Sequence, residues 1–123
     1  SEQIEEFIAQ HPDILKDKAL VLYSDQWHPG IIAILSARIA KQYNRPTVVI
    51  SINDRVGKGS IRTIPEFPLL DVLKEQEHLL INFGGHDYAA GLTIPEENIP
   101  RFKEYFIKSA QNTLQDQDIT PKI

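Results

Sequence analysis

The chain of 123 residues contains no cysteine and no methionine. Without cysteine it can form neither disulfide bonds nor thiolate metal sites, which fits a reducing cytoplasm. No apolar run approaches the roughly 20 residues that a membrane-spanning helix needs, and no signal peptide is visible. We therefore expect a cytoplasmic protein without a membrane partner. Because the chain starts with Ser1 and lacks methionine, we also expect it to be a piece of a longer protein.

Groupings of residues that carry hydrolytic chemistry are also missing. The four histidines form no His-x-x-x-His motif and no Asp/His cluster with the spacing of metal ligands. No Ser, His and Asp arrangement for nucleophilic catalysis can be recognised. The sequence therefore predicts no catalytic residue, no metal site and no cofactor in this chain.

Positive charge is confined to one segment of an acidic chain. The net charge is −4, but residues 38–62 contain six basic residues and one acid. The basic residues are Arg38, Lys41, Arg45, Arg55, Lys58 and Arg62. A local basic patch on an acidic protein attracts anions to one place. A solvated helix face and a charged turn would equally account for Arg38, Lys41 and Arg55.

Hydrophobic periodicity predicts four helices and four strands within one domain. The predicted helices are 3–10, 29–44, 68–76 and 95–114, and the predicted strands are 19–23, 47–52, 58–64 and 89–94. The isoleucines and leucine of the second helix indicate a wide apolar surface that is well buried. The element order predicts an α/β fold, with a small mixed β-sheet flanked by helices. We expect residues 1–114 to form this domain and residues 115–123 to form a linker towards a following domain.

The most informative stretch is FGGHDYAAGLT, residues 83–93. Gly84 and Gly85 free the backbone to expose its N–H groups, and His86 follows with a side chain that changes charge near neutral pH. Small residues after it allow close approach of a ligand. The stretch is consistent with a phosphate site, although Gly-Gly is first of all a turn signal.

Two further stretches suit an anion. In GKGSIR, Ser60 and Arg62 are two residues apart on a predicted strand and therefore share a face, while Lys58 and Gly59 precede them. An arginine beside a hydroxyl can bind a phosphate, although a plain hairpin with surface charges explains the same residues. In WHPG, Trp27 and His28 precede a helix start, where anions bind, but a buried tryptophan and a capping histidine are an equal alternative.

These three stretches, in this order, resemble the DHH-associated domain of RecJ-type single-strand-specific exonucleases. The family pattern is approximately Trp-His-x-Gly-Val-Ile-Gly-Ile, then Arg-Pro before a strand, then Gly-Ser-x-Arg-Ser, then Phe-Gly-Gly-His-x-x-Ala-Ala-Gly-Leu. The corresponding residues here are 27–34, 45–46, 59–63 and 83–92. The departures are Ala33 for a usual glycine, Thr63 for a usual serine, and Glu66 where glycine is common.

The resemblance implies a substrate-binding role. In that family a preceding domain holds two divalent metals, Mn²⁺ or Mg²⁺, through Asp and His ligands that include an Asp-His-His run absent here. This chain would hold phosphates of single-stranded DNA for a 5′-to-3′ exonuclease of DNA repair and recombination, and would cleave nothing alone. The residues implied are Ser60, Arg62, Gly84, Gly85 and His86, with Trp27, His28, Lys58 and Gly59 as weaker candidates. The implied partners are the catalytic domain and an oligonucleotide-binding barrel, of which residues 118–123 resemble the start.

Two alternatives stay open. The chain could belong to a phosphodiesterase of short oligonucleotides or cyclic dinucleotides from the same superfamily. It could also be an RNA-binding domain like the C-terminal part of alanyl-tRNA synthetases, which shares the Gly-Gly-His element but which the Trp-His-Pro-Gly match disfavours.

Overall fold

A five-stranded mixed sheet organises the chain. The computed structural model describes residues 2–120, with side chains from residue 6 onward. The strands are β1 (Leu20–Ser24), β2 (Thr47–Asn53), β3 (Val56–Arg62), β4 (Asn82–Gly85) and β5 (Ala89–Pro95). They lie in the order β1-β2-β3-β5-β4; β1 and β2 are parallel, and the other pairs are antiparallel. The predicted α/β class with a small mixed sheet is confirmed.

Helices lie on both faces of the sheet. They are α1 (Glu2–Gln10), α2 (Ile32–Tyr43), α3 (Leu69–Glu75), α4 (Ile99–Thr113) and α5 (Asp116–Ile119), with short 3₁₀ turns at Pro12–Lys16, Glu77–Leu79 and Glu96–Asn98. Because successive strand side chains point to opposite faces, Val48 and Ile50 of β2 face α3 and α4, whereas Val49 faces α2. The sheet therefore separates two apolar clusters.

The two faces are covered unequally. The cluster under α3 and α4 includes side chains from all five strands, Phe83 of β4 being partly buried there. The cluster under α2 contains only Leu20, Leu22 and Val49 from the strands. On the α2 side, β5 and β4 are consequently left uncovered, whereas β3 is covered in part by α2.

Helix α2 differs from its prediction in two respects. It begins at Ile32 rather than Pro29, because residues 29–31 form a turn in which the Ile31 N–H donates to His28 O at 3.1 Å. It is also not buried all round, since Ile34 is 60% exposed, and Ile31 in the preceding turn is 37% exposed. Only the side that faces β2 and β3 is packed.

Two short elements are absent from the prediction. Gly84 and Gly85 end strand β4, which was expected to be part of a turn. Residues 116–119 form α5, and the Asn44 side chain donates to Asp118 O at 2.9 Å and to Thr120 O at 3.1 Å. The role of residues 115–123 as a linker stays a prediction. Ser1 and residues 121–123 lie outside the described residues.

The β2–β3 hairpin turn contains a strained arginine. Asp54 and Arg55 connect the paired residues Asn53 and Val56, and both have a positive φ, 52° and 63°. Such two-residue turns favour glycine, because a side chain in this conformation costs about 1–2 kcal/mol.

Replacing Arg55 with glycine is therefore expected to raise the free energy of unfolding by about 0.5–1 kcal/mol, after the greater unfolded-state freedom of glycine is subtracted. Urea denaturation measures the change. The control is Asp54→Gly, which should gain less because aspartate tolerates this conformation. A loss of stability in Arg55→Gly would show instead that the arginine side chain makes stabilising contacts.

Candidate nucleic-acid interface

The sheet surface that α2 leaves open presents three rows of residues, each running from the edge of α2 on β3 across β5 to β4. The rows are Lys58–Thr93–Asn82, Ser60–Gly91–Gly84 and Arg62–Ala89–His86. The third row extends beyond β4, since the His86 N–H donates to Ala89 O at 2.9 Å. We call these nine residues the open face. Alternate residues of a strand are about 6.8 Å apart, so the face brings together side chains from both sequence motifs.

The hydroxyl of Ser60 lies where α2 meets the open face. Ser36 of α2 is fully buried; its Oγ donates to Ala33 O at 3.1 Å and lies 3.3 Å from Ser60 Oγ. Ser60 is half-buried, so the residue lies at the edge of α2 and is not enclosed by it. The sequence motifs did not identify Ser36, because a single serine in a helix carries no signal of its tertiary partner.

Arg62 ends β3 as an exposed cation. The only ion pair within 4 Å in the described part of the chain joins Lys18 and Asp116, so no described carboxylate neutralises Arg62. Its side chain borders a cavity of about 430 Å³ between the sheet and the C-terminal half of α2, which Lys41 also lines. An unpaired guanidinium beside a cavity is suited to bidentate binding of a phosphate.

The two histidines of the motifs share one local geometry. The Gly30 N–H donates to Nδ1 of His28 at 2.9 Å, and the Tyr88 N–H donates to Nδ1 of His86 at 3.4 Å. When Nδ1 of a neutral imidazole accepts a hydrogen bond, the ring proton is on Nε2. Both residues are exposed, so each neutral ring can donate a hydrogen bond from Nε2–H to an anion.

Trp27 does not line the open face. Its side chain is 7% exposed within the apolar cluster under α2, with its ring edge-on to Phe7. His28 follows in a loop at one end of the face: Ser51, the register partner of Lys58, donates its hydroxyl proton to Trp27 O at 2.5 Å. The indole therefore stabilises packing, and only His28 of this pair is exposed.

Gly59 likewise serves packing. It lies on the opposite face of β3 from Ser60, where an added Cβ would be 2.9 Å from Leu92 Cδ1 and 3.2 Å from Ile50 Cγ1. The close approach that this glycine permits is made by the core and not by a ligand. Lys58, in contrast, is exposed on the open face.

The basic patch is smaller than the sequence suggests. The Arg45 guanidinium donates to Leu15 O at 2.6 Å, Asp17 O at 2.8 Å and Tyr43 O at 3.1 Å. Burial lowers its pKa, while the Asp17 carboxylate acts in the opposite direction. Arg45 thus ties the N-terminal segment to the end of α2, and Arg55 occupies the hairpin turn. The cations left at the open face are Lys58 and Arg62, with Lys41 of α2 lining the cavity beside Arg62, whereas Arg38 is exposed elsewhere on α2.

No group of three or more His, Asp or Glu side chains among residues 6–120 is arranged to hold a metal ion. These residues therefore do not fit a metal centre. Among residues 2–120, none of the helices has the length and apolar character needed to span a membrane.

The fold and the sequence identify the family. The sequence model of the DHHA1 domain matches residues 16–112, and the chain belongs to this family. Two curated relatives are the single-stranded-DNA-specific exonucleases RecJ of Bacillus subtilis and Haemophilus influenzae. They are 35% and 33% identical, over 87% and 81% of this chain. The chain spans only 14% and 18% of their lengths. The resemblance to RecJ-type exonucleases is confirmed.

Solved structures agree. An exonuclease RecJ bound to manganese matches 94% of this chain and 29% of its own, with a TM-score of 0.77 and 30% identity. RecJ of Thermus thermophilus in complex with Mg²⁺ matches 99% of this chain and 19% of its own, with a TM-score of 0.75 and 28% identity. The C-Ala domain of Aquifex aeolicus alanyl-tRNA synthetase covers 74% of this chain and 89% of its own, with a TM-score of 0.63. At 12% identity this last match shows the fold alone.

Proposed function

We propose that the open face binds phosphates of single-stranded DNA on behalf of an exonuclease whose catalytic residues lie outside this chain. The observation that carries the proposal is the placement of Ser60, Arg62, Gly84 and His86 on one face of the sheet, beside α2. The register joins two motifs that are more than twenty residues apart in sequence.

The chemistry of the face suits a nucleic-acid backbone. Arg62 supplies two parallel N–H donors and a positive charge, Ser60 supplies a hydroxyl, and His86 supplies its Nε2–H. Gly84 and Gly91 leave most of the middle row without side chains, so a DNA strand can lie directly against the sheet. Binding of this kind positions the substrate and offsets its charge.

The proposed context is that of the RecJ relatives, of which this chain corresponds to a small part. We infer a separate catalytic domain that holds the metal ions, an oligonucleotide-binding barrel beyond residue 123, and 5′-to-3′ degradation in cytoplasmic DNA repair and recombination. In this arrangement the open face acts only by holding the strand, and Gly85 shapes the turn before His86.

Replacing Arg62 with alanine tests the proposal. We expect the dissociation constant for a fluorescent oligo(dT) to rise about tenfold, because a phosphate loses a charge-assisted bidentate contact. The slope of log affinity against log salt concentration should fall by about 0.7, the value for one phosphate contact on a single strand. Stability should change by less than about 0.5 kcal/mol, because the side chain is exposed and unpaired.

The matched control is Arg101→Ala. Arg101 is an exposed arginine of α4, which packs on the opposite face of the sheet, so the affinity and the salt slope should not change. Equal losses of affinity in the two variants would show that binding depends on nonspecific charge and would contradict the proposal. An oligo(U) of the same length and a dinucleotide, measured in parallel, distinguish RNA binding and short-substrate binding from the proposed function.

A further inference from the structure

We propose that Tyr88 is a stacking platform for the base adjacent to the phosphate held by Arg62. This inference rests on the proposed function of the open face and extends it from the backbone of the strand to its bases. The sequence motif leaves this position unspecified, since it falls on the second variable residue between Gly-Gly-His and Ala-Ala-Gly.

Tyr88 is exposed but its backbone is fixed. The tyrosine is 51% exposed, so a base can reach its ring. Its carbonyl accepts the Thr63 N–H at 3.0 Å, and its own N–H donates to Nδ1 of His86 at 3.4 Å. The backbone of Tyr88 is therefore joined directly to the segments that carry Arg62 and His86, which fixes where the ring starts relative to both side chains.

Tyr88 also borders two cavities whose linings carry charges of opposite sign. One is the cavity of about 430 Å³ that Arg62 and Lys41 line, and Tyr88 borders it. Tyr88 also borders a second cavity of about 390 Å³, lined mainly by prolines and leucines with the carboxylates of Asp71 and Asp87. No basic side chain lines this second cavity.

The charges decide which part of a nucleotide each cavity suits. A phosphate is attracted by Arg62 and Lys41 but repelled by Asp71 and Asp87. A base is uncharged, its flat face stacks on an aromatic ring, and its N–H groups, such as N3–H of thymine, can donate to carboxylates. The second cavity therefore suits a base, with Tyr88 at the boundary between backbone and base.

The test compares two fluorescent strands with the same phosphates, oligo(dT) and an abasic oligomer of equal length. Tyr88→Ala is expected to weaken oligo(dT) binding about tenfold, the loss of one stacked base, and to change abasic binding by less than about twofold. Tyr88→Phe should bind like the parent chain. The matched control is Tyr105→Ala on α4, since Tyr105 is also 51% exposed but lies behind the sheet; it should leave both affinities unchanged.

The other outcomes separate this inference from the proposed function. Arg62→Ala should weaken both strands. If it does while Tyr88→Ala weakens neither, or both equally, the open face binds phosphates and the stacking role is wrong. If the parent chain binds neither strand at millimolar concentration, both proposals fail. A 2-aminopurine moved along the strand adds an independent readout, because one position should lose its quenching in Tyr88→Leu but not in Tyr88→Phe.

Discussion

Replacing Gly84 with leucine is expected to weaken single-strand binding by at least about tenfold while the domain remains fully folded. The leucine would project from the middle row of the open face, beside its register partner Gly91 of β5. A DNA strand that lies against this row would have to move away from Ser60 by the thickness of a side chain. Charge-assisted contacts weaken steeply when their geometry is lost, so the affinity falls although no binding group is removed.

Gly84 offers this test because nothing inside the chain requires a glycine there. No heavy atom lies within 4 Å of a Cβ added at this position, and its φ is not positive. Glycine within a strand lowers stability relative to residues that favour strands. Gly84→Leu should therefore keep or raise the free energy of unfolding, by up to about 1 kcal/mol. A residue that costs stability and fills no packing requirement is best explained by a molecule that approaches from outside.

The measurement is a series of increasing size, Gly84→Ala, Gly84→Val and Gly84→Leu, with binding to oligo(dT) and thermal unfolding recorded for each. Affinity should fall with side-chain size as the unfolding temperature stays level or rises. Asn112→Leu is the control, because it adds the same side chain at an exposed site of α4 behind the sheet. Unchanged affinity across the series would mean that the strand does not contact this row.

Periodicity predicted most of the elements but not the limits of their burial. The apolar residues of α2 correctly indicated a helix, yet Ile34 is exposed, because the helix packs only on the side that faces β2 and β3. A pattern of hydrophobicity shows which residues favour burial and does not show how many neighbours the fold supplies. Strand β4 was missed for a similar reason: Gly84 and Gly85 have low strand propensity, and only pairing with β5 makes them a strand.

For the site, the sequence predicted local relations and not long-range ones. That Ser60 and Arg62 share a face follows from strand alternation, and the register confirms it. The connection from Ser60 to Gly84 passes through Gly91, because β5 lies between β3 and β4. This order depends on backbone pairing between distant segments, which a single sequence does not reveal. The burial of Trp27 and the capture of Arg45 by carbonyl oxygens are likewise products of tertiary packing.

Replacing Gly85 with alanine is expected to lower the stability of the domain, whereas substitutions at the neighbouring Gly84 keep stability and lower affinity. Gly85 has a φ of 153°, and an added Cβ would lie 2.4 Å from Ala89 O and 2.5 Å from Ala90 Cα. These contacts are with backbone atoms of the paired strand, so no side-chain rotation can relieve them. We expect a loss of about 3 kcal/mol in the free energy of unfolding, which combines steric overlap with a backbone conformation that side chains avoid.

The adjacent glycines then separate folding from binding. Urea denaturation of Gly85→Ala should show the loss of stability, and hydrogen exchange should show faster opening of the β4 and β5 amides, because β4 is an edge strand whose only strand neighbour in the sheet is β5. Its strand binding should fall in proportion to the fraction of molecules with the hairpin closed, whereas Gly84→Leu should lose affinity in molecules that are all folded. Wild-type stability in Gly85→Ala would contradict the described path of the turn before His86. Both results together would show that Gly84 is needed for ligand binding and that Gly85 is needed for the backbone conformation that presents His86.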